Sequence, residues 1–385
     1  MQLLLSFTST TLSGNCIIKE SAKMTYYQGL ADRVTFRPYS FLSPSVADSS
    51  LGLLVLLLVQ VVLLAITRSF NSLLIVSLTT LSALGADIVN SILRQHFERS
   101  WRVAIIQGII VGLLLPSTYS PIAAVFITFC VLLLSKYAFG GFSGPWVNPV
   151  AITVAVAYFL DMNAFPLLQV DSSLLQNRNA ALLLIQDGTI PIAAEDAYIT
   201  AFLNRTIFSL FKLAVPEGYV SLFWDTGSLI PAFRFNAITL LSSIILISLD
   251  MIDWVIPACF MTVYAVLVRL CGPLITGAVM LQGDMLLAIL TGGTLFAALY
   301  VLQWYGTTPS TFAGKCLYGC LAGAFAFLIM GMGTSSVGYL FVVLAMNIVC
   351  PIIQYLEDRA VFKTVHKQII PRINAMKEVD RVGDD

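Results

Sequence analysis

Long apolar runs recur along this chain, and they limit its fold more than any single motif does. About ten of them are long enough to cross a bilayer as helices, provided that the shorter ones tilt or extend. They cover residues 51–67, 72–93, 103–116, 121–138, 147–163, 237–250, 254–270, 285–304, 316–332 and 337–356. Because 58% of the 385 residues are hydrophobic and only 11% are charged, a soluble globule would expose far more apolar surface than it could bury. The chain is therefore predicted to be an all-α polytopic membrane protein, surrounded by lipid.

The longest polar interval divides these runs into two groups of five. It is too long for a simple turn and is predicted to fold as an extramembrane insertion. Five crossings on each side, an odd number, place two halves in inverted orientation, and Asn148 with Pro149 and Asn347 with Pro351 are expected to open or interrupt a helix in each half. The predicted parts are an N-terminal segment, a first transmembrane half, the insertion, a second transmembrane half and a basic tail, at residues 1–50, 51–163, 164–236, 237–356 and 357–385.

Positive residues near the ends of the apolar runs predict the orientation. Most of them, including Arg102, Lys136 and Lys315, fall on one side together with both termini, and the positive-inside rule makes that side cytoplasmic. The insertion then faces outward. Arg68 and Arg269 fall on the outward side and are exceptions to this assignment.

Charge, histidine and cysteine content exclude several function classes. The formal net charge is +0, so the chain offers no basic surface to nucleic acid. His96 and His366 lie in charged segments outside the apolar runs, which argues against haem ligation within the membrane, and no metal site is predicted. The 7 cysteines show no CxxC spacing and are interpreted as small core residues. Cys316 and Cys320, four apart on a predicted helix, have a spacing that would let them share a ligand.

A glycine-rich loop between two apolar runs is the most informative segment, KYAFGGFSGPWVNP (136–149). Gly140, Gly141 and Gly144 remove side chains that would keep a flat ring away from the backbone, and Asn148 adds an amide that donates and accepts hydrogen bonds. Irregular backbone at membrane depth is tolerated where it lines a cavity, so these residues are candidates for cofactor binding. The alternative is a tight turn between two helices.

Acidic residues inside apolar runs are costly in hydrocarbon and are therefore usually functional or paired. Asp87 lies one helical turn from Asn90, and these two residues are candidates to line an ion path. The alternative is that Asp87 pairs with Arg94 at the helix end. Asp284 starts a predicted helix, where the helix dipole explains it without a functional role.

Four segments, in this order, resemble one family of membrane proteins. They are RPYSFLSPSV (37–46), IIQGIIVGLLLPSTYSP (105–121), KYAFGGFSGPWVNP (136–149) and MNIVCPIIQYLEDR (346–359). From about Arg37 onward the chain resembles the D subunit of the Rnf ion-translocating electron-transport complex and the B subunit of the sodium-translocating NADH:quinone reductase.

The resemblance implies an integral subunit of the bacterial cytoplasmic (inner) membrane, with other subunits of such a complex as partners. It would relay electrons through flavin between ferredoxin, NAD(H) or quinone and those partners, in a machine that moves Na⁺ or H⁺. This chain alone shows no complete active site, so the oxidoreductase and translocase activity would belong to the complex.

The resemblance also implies a flavin, FMN or riboflavin. In many members FMN is esterified to a threonine in a D-G-x-S-x-A-T motif, whose start Asp187 and Gly188 resemble. Ala193 stands at the acceptor position and has no hydroxyl, so the flavin is expected to be non-covalent. Thr189 and Thr200 are the nearby hydroxyls that a covalent link would need instead.

A second family element, S-G-A-T followed by an apolar stretch and T-D-P-V-T, resembles LTGGTLFAALYVLQWYGTTPSTFAGK (290–315). Thr291, Gly292, Gly293 and Thr294 stand in place of S-G-A-T and are further candidates for cofactor binding. The T-D-P triplet is replaced by Gln-Trp-Tyr, so its acidic residue is lost. The alternative for the threonine and glycine residues is close helix packing.

Two other functions remain open beside the redox subunit. One is a small-solute channel or carrier, since the predicted inverted layout resembles the architecture of urea and ammonium channels. The other is a scaffold subunit of the same complex that holds no cofactor.

Flavin binding would need basic groups for the phosphate. The candidates in the insertion, which are otherwise interpreted as surface charges, are Arg178, Arg205, Lys212 and Arg234.

Overall fold

The computed structural model describes most of the chain, and it is helical. Described are residues 46–94, 101–138, 147–166, 175, 179–212, 214–276, 280–304, 306–333 and 335–382. Within these ranges the backbone forms helices and connecting turns and contains no strand. Among the described residues, six helices are long and apolar enough to cross a membrane, and three shorter apolar helices accompany them. The prediction of an all-α polytopic membrane protein is confirmed.

The first transmembrane half consists of five apolar helices. They are α1 (Val46–Ile66), α2 (Phe70–Arg94), α3 (Trp101–Leu114), α4 (Pro121–Leu132), which a π-helical segment at Leu133–Ala138 extends, and α5 (Pro149–Leu160). Pro121 and Pro149 lie in the first turns of their helices, where the missing N–H costs no hydrogen bond. With 14 and 12 residues, α3 and α5 are shorter than the ~20 residues that a helix needs to cross the hydrocarbon.

Short helices make up much of the described part of the insertion. They are α6 (Ala180–Gln186), α7 (Asp196–Thr206) and α8 (Tyr219–Trp224). Asp284 attaches the insertion to the second half, because its Oδ2 accepts a hydrogen bond from the N–H of Ala181 at 2.9 Å. Its Oδ1 accepts from the N–H groups of Leu286 and Leu287 and caps the helix that follows. The interpretation of Asp284 as a helix-capping acid is confirmed.

The second transmembrane half contains one broken helix. Its helices are α9 (Asn236–Ser248), α10 (Val255–Thr276), α11 (Met285–Leu290), α12 (Thr294–Phe296), which a π-helical segment at Ala297–Val301 extends, α13 (Phe312–Met330) and α14 (Gly338–Val382). α11 and α12 are two pieces of the single run predicted over 285–304. The break falls at residues 291–293.

The first helices of the two halves run in opposite directions, which agrees with the predicted inversion. Gly52, near the start of α1, packs against Met251, just after the end of α9. At the opposite end, Arg234, just before α9, donates a hydrogen bond to Ser69, just after α1, at 2.6 Å. α1 and α9 are therefore antiparallel. The same pairs pack in each half, since α2 contacts α4 as α10 contacts α13, and α4 contacts α5 as α13 contacts α14.

Glycines let two helix pairs approach closely. A Cβ added to Gly108 or Gly112 of α3 would lie 2.5 Å or 2.6 Å from a Cα of α2, at Thr80 and Val76 respectively. Gly319 and Gly323 of α13 lie in the same way against α10, where added Cβ atoms would come within 2.7 Å and 2.8 Å of their neighbours. Both pairs have the small-xxx-small spacing that brings membrane helices into backbone contact.

The last helix differs from the prediction. α14 is 45 residues long and continues past residue 356, where the second half was predicted to end, into the predicted tail. Pro351 lies inside this helix, so the interruption expected at Asn347 and Pro351 is wrong. The Pro351 side chain is exposed, and its ring removes one backbone hydrogen bond, to the carbonyl of Asn347, without ending the helix. The residues after 356 favour helix, since none of them before Pro371 is glycine or proline.

Candidate functional site

The structure describes one residue of the predicted glycine-loop site, Asn148. The other three, Gly140, Gly141 and Gly144, lie outside the described residues. The buried Asn148 Oδ1 accepts hydrogen bonds from the N–H groups at the start of α5, at 2.9 Å and 3.2 Å. Its Nδ2 donates to the carbonyl of Val301 at 2.6 Å. Asn148 therefore caps α5 and joins it to the broken helix of the other half. A role in flavin binding stays a prediction.

Thr291, Gly292, Gly293 and Thr294 form the break between α11 and α12. Gly293 has a φ of 69° and packs so closely on Phe233 that an added Cβ would lie 1.9 Å from the ring. The Thr294 hydroxyl donates to the carbonyl of residue 288 at 2.9 Å and is fully buried, while the Thr291 hydroxyl donates to the carbonyl of residue 287 at 2.5 Å. Gly292 packs closely as well, since an added Cβ would lie 3.0 Å from the carbonyl oxygen of Gly333. All four residues therefore have a packing or hydrogen-bonding role, and Thr291 also faces a cavity.

Two predicted flavin-binding residues, Thr189 and Thr291, line the same cavity between the insertion and the second half. This inner cavity has a volume of about 130 Å³, and Ser228, Phe233 and Gly333 also form its wall. It combines hydroxyl groups with apolar side chains, which suits a ligand that has a flat ring and polar edges. The sequence separates these residues widely, and the fold brings them together.

A second cavity adjoins the first through the segment 227–229. This outer cavity has a volume of about 420 Å³ and is lined by Arg68 and Arg234 and by polar side chains that include Ser69 and Asn71. Arg234 is held in a two-point ion pair with Asp225, with Nε 2.9 Å and Nη2 2.5 Å from the two carboxylate oxygens. Of the four basic residues proposed for phosphate, Arg205 and Lys212 are exposed, Arg178 lies outside the described residues, and Arg234 lines this cavity.

Ala193, at the position where the resemblance predicts a flavin-bearing threonine in other members, lies beside a buried carboxylate. Its N–H donates to Ser221 Oγ at 2.9 Å, and that hydroxyl donates to Asp196 Oδ2 at 2.5 Å. Asp196 also accepts from the N–H groups of Ser221 and Gly218 and from the hydroxyl of Thr200. Burial raises the pKa of Asp196, but these hydrogen bonds outweigh it and hold the pKa below its usual value. The Thr200 hydroxyl is buried in this cluster, whereas Thr189 is exposed and faces the inner cavity.

Asp87 belongs to a buried polar network in the first half. Tyr137 donates from its hydroxyl to Asp87 Oδ1 at 2.5 Å, and Lys136 Nζ donates to the Tyr137 hydroxyl at 3.0 Å and to Gln107 Oε1 at 3.1 Å. Asp87 and Lys136 are 5% and 2% exposed, so a carboxylate and an ammonium group share this part of the membrane interior. Such groups are costly there unless they are paired, and they mark functional sites.

The network extends the prediction for Asp87 beyond what the sequence indicated. Asn90 lies one turn after Asp87 on α2 and is half-buried, while the side chain of Arg94, the alternative partner, lies outside the described residues. The other three members of the network were not predicted. A lysine at residue 136, within the apolar run 121–138, was the signal that could have found them, because a charge in such a run needs a partner.

Other buried polar atoms have no hydrogen-bond partner within the described part of the chain. Both polar atoms of the Asn347 side chain are in this group, although Asn347 is only 4% exposed. The carbonyl of Asn347 also lacks the usual helical donor because residue 351 is a proline. Gln60 Oε1 is likewise unpaired among the described residues, although Gln60 Nε2 donates to Thr239 at 3.0 Å. Unpaired groups of this kind indicate positions that water or a ligand would stabilise.

Three cysteine side chains meet between α10 and α13. The thiol of Cys259 lies near those of Cys316 and Cys320. Among the described residues no group of three histidine, cysteine or acidic side chains has the geometry to hold a metal ion. The spacing of Cys316 and Cys320 therefore brings them to a shared neighbour on the adjacent helix.

The fold and the candidate site define a class of protein, a polytopic membrane protein made of two inverted five-helix halves, with a polar insertion docked over a broken helix. The sequence model of the NQR2, RnfD, RnfE family matches residues 33–363. The chain belongs to this family, and the resemblance seen in its motifs is confirmed.

Several relatives are named as the D subunit of an ion-translocating oxidoreductase complex. The protein of that name from Vibrio cholerae (strain M66-2) is 26% identical over 243 residues, which are 61% of this chain and 64% of the relative. The one from Salmonella paratyphi B is 32% identical over 120 residues, 31% of this chain and 33% of the relative. The chain thus aligns with a little under two thirds of the length of the Vibrio relative.

Proposed function

We propose that this chain is the membrane subunit of an ion-translocating oxidoreductase complex of the RnfD type, and that it relays electrons through a bound flavin. Family membership and the names of its relatives support the first part. The observation that carries the second part is the inner cavity, where Thr189 of the insertion and Thr291 of the broken helix meet. The donors and acceptors are ferredoxin, NAD(H) or quinone and the partner subunits of an Rnf-type or NADH:quinone reductase-type complex.

The residues around the inner cavity fit FMN or riboflavin in their chemistry. Hydroxyls of Thr189 and Thr291 and backbone groups near Gly333 supply polar contacts for the ring edge, and Phe233 supplies an apolar surface. A bound flavin would add the one- and two-electron chemistry that side chains lack. The inner cavity alone is smaller than the ~300–1,000 Å³ of common ligand pockets, so the remainder of the flavin would occupy the outer cavity. Non-covalent binding is proposed because Ala193 has no hydroxyl.

The same proposal places the ion route in the first half, at Asp87. Its carboxylate is held by Tyr137, so it is oriented before any ion arrives, and Asn90 adds a polar side chain one turn away. A carboxylate in this position can accept a proton or contact a cation in transit. Na⁺ and H⁺ are both compatible with these groups.

The proposed location is the bacterial cytoplasmic membrane, with both termini in the cytoplasm. Lys315 and the exposed Arg359 and Lys363 of α14 lie towards the face that carries the tail, and the insertion lies at the opposite face. The positive-inside rule then makes the tail face cytoplasmic.

Flavin fluorescence of the purified full-length chain tests the proposed cofactor. The protein is measured in its native state and, after acid precipitation, in both the pellet and the supernatant. Flavin released into the supernatant is the expected result. Flavin retained in the pellet would contradict non-covalent binding, and peptide mapping would then begin at Thr189.

Absence of flavin from both fractions would contradict the redox role of this chain. The scaffold and channel alternatives would then be separated by two measurements, assembly of the complex in its absence and solute flux into proteoliposomes without redox partners. The channel alternative is retained because it requires an inverted layout, and α1 and α9 are antiparallel.

A further inference from the structure

The outer cavity is a positively charged pocket at the insertion face of the molecule. Arg68 occupies the turn between α1 and α2, and Arg234 precedes α9. No acidic side chain is among the described residues that line the cavity. Asp225 forms an ion pair with Arg234 and neutralises it, whereas Arg68 makes no ion pair with any described residue. The net charge that faces the cavity is therefore positive.

Hydrogen-bond donors converge on the same space. Arg234 has five N–H donors; Asp225 accepts from Nε and Nη2, and Ser69 accepts from Nη1, which leaves one donor each on Nη1 and Nη2 without a partner in the described chain. The wall includes Asn71 and Ser72, in the first turn of α2, where backbone N–H groups have no partner within the helix. The dipole of this 25-residue helix adds positive potential at that end.

We propose that the outer cavity binds a phosphate group, with Arg68 as the main charged contact. Arg234 is a hydrogen-bonding contact whose guanidinium group is held in place by Asp225. A guanidinium group and helix N–H groups form the combination that proteins use for phosphate. The volume of about 420 Å³ exceeds what a phosphate needs, so the rest of the ligand also has room there or in the inner cavity.

Two ligands could carry this phosphate. One is FMN, whose ring would enter the inner cavity across the shared segment 227–229, and this case rests on the proposed function. The other is a phospholipid of the outward leaflet, because the strongly exposed Ile66 and Phe70 flank the cavity on the membrane side. Both sources present the same phosphate chemistry to Arg68.

The test compares the full-length protein with the variants Arg68→Gln and Arg68→Lys and with the control Arg205→Gln. Arg205 is exposed on the insertion and does not line either cavity. Binding of FMN and of riboflavin is measured by fluorescence titration in detergent. Bound phosphatidylglycerol is measured by native mass spectrometry.

For an FMN site, Arg68→Gln weakens FMN binding about tenfold, leaves riboflavin binding unchanged, and Arg68→Lys restores most of the loss. For a lipid site, Arg68→Gln removes bound phosphatidylglycerol while Arg205→Gln retains it, and this outcome supports the phosphate site even if no flavin binds. If neither FMN nor phosphatidylglycerol binding responds to Arg68→Gln in a folded protein, the phosphate site is wrong. Absence of riboflavin binding in the wild type, together with Arg68-dependent lipid binding, would overturn the flavin proposal alone.

Discussion

Asp196 is one carboxylate on which several turns of the insertion depend. It is fully buried and accepts hydrogen bonds from the N–H groups of Gly218 and Ser221 and from two hydroxyls. Asp196→Asn would turn an amide N–H₂ towards groups that themselves donate. We expect the insertion to lose roughly 1–3 kcal/mol of stability, as is usual when a charged hydrogen-bond acceptor is removed. Limited proteolysis of the insertion measures this, with the exposed Asp187→Asn as control; equal cleavage of the two variants would contradict it.

The same carboxylate predicts how the insertion responds to pH. The pKa of Asp196 is lower in the folded chain than in the unfolded one, so the ionised group stabilises the fold at every pH above its unfolded pKa of ~4. This contribution is lost as the pH falls below ~4 and passes through the folded pKa. We expect hydrogen exchange in α7 and α8 to stay slow from neutral pH down to about 4 and to accelerate below it, after correction for intrinsic exchange rates. In Asp196→Asn this acid-dependent step should be absent.

The buried network around Asp87 predicts strong coupling between two residues. Lys136→Met removes the cation that the Tyr137 hydroxyl links to the Asp87 carboxylate, and leaving a buried charge uncompensated costs roughly 3–5 kcal/mol. Asp87→Asn combined with Lys136→Met removes both charges and should recover part of that loss. Denaturant unfolding of the purified variants measures the coupling, with the exposed Lys363→Met as control. Additive effects of the two substitutions would show that the charges do not interact.

At the scale of single residues, the sequence predicted some of the candidate site. Asp87, Thr189 and Thr291 were named from their type and position, and the structure places the last two in one cavity. Arg68 was noted only as an exception in charge distribution. Its role depends on Arg234 and the start of α2 being nearby, and a contact between distant segments leaves no local pattern in a single sequence.

Helices α2 and α3 pack at backbone distance, and this contact makes a prediction for the element. Gly112→Ala would place a methyl group 2.6 Å from the Cα of Val76, so the helices must separate, at a cost of roughly 1–3 kcal/mol. Gly85→Ala is the matched control, because its added Cβ would lie 3.8 Å from the ring of Phe129, an ordinary contact. Thermal unfolding in detergent should show a lower midpoint for Gly112→Ala alone. A similar loss in both variants would mean that helix propensity or expression, and not this contact, is responsible.

Hydropathy predicted where the helices lie but not where they break. All ten apolar runs are helical in the described ranges, because hydrocarbon leaves the backbone no other way to satisfy its hydrogen bonds. The break at residues 291–293 was not predicted, since it depends on Phe233 filling the space beside Gly293 and on Asn236 donating to the carbonyl of Leu290. Both partners come from outside the run.

For the whole molecule, the inverted halves predict which segments share a side of the membrane. Tyr198 of the insertion and Phe362 of α14 are both exposed, and the inverted arrangement places them on opposite faces. In a background without native cysteines, we expect a membrane-impermeant maleimide to label Tyr198→Cys in intact cells and Phe362→Cys only after permeabilisation. Labelling of both positions from the same side would contradict the inverted arrangement, and the reverse pattern would contradict the proposed orientation.

The length of α14 has a mechanical consequence. Forty-five residues at ~1.5 Å each give a helix of about 68 Å, more than twice the ~30 Å of the hydrocarbon layer. The part beyond the membrane is therefore a lever arm of roughly 35–40 Å. A tilt of about 5° at the root displaces the far end by about 3 Å. A neighbouring protein bound to the far end would therefore be displaced by small rearrangements in the packing of the second half.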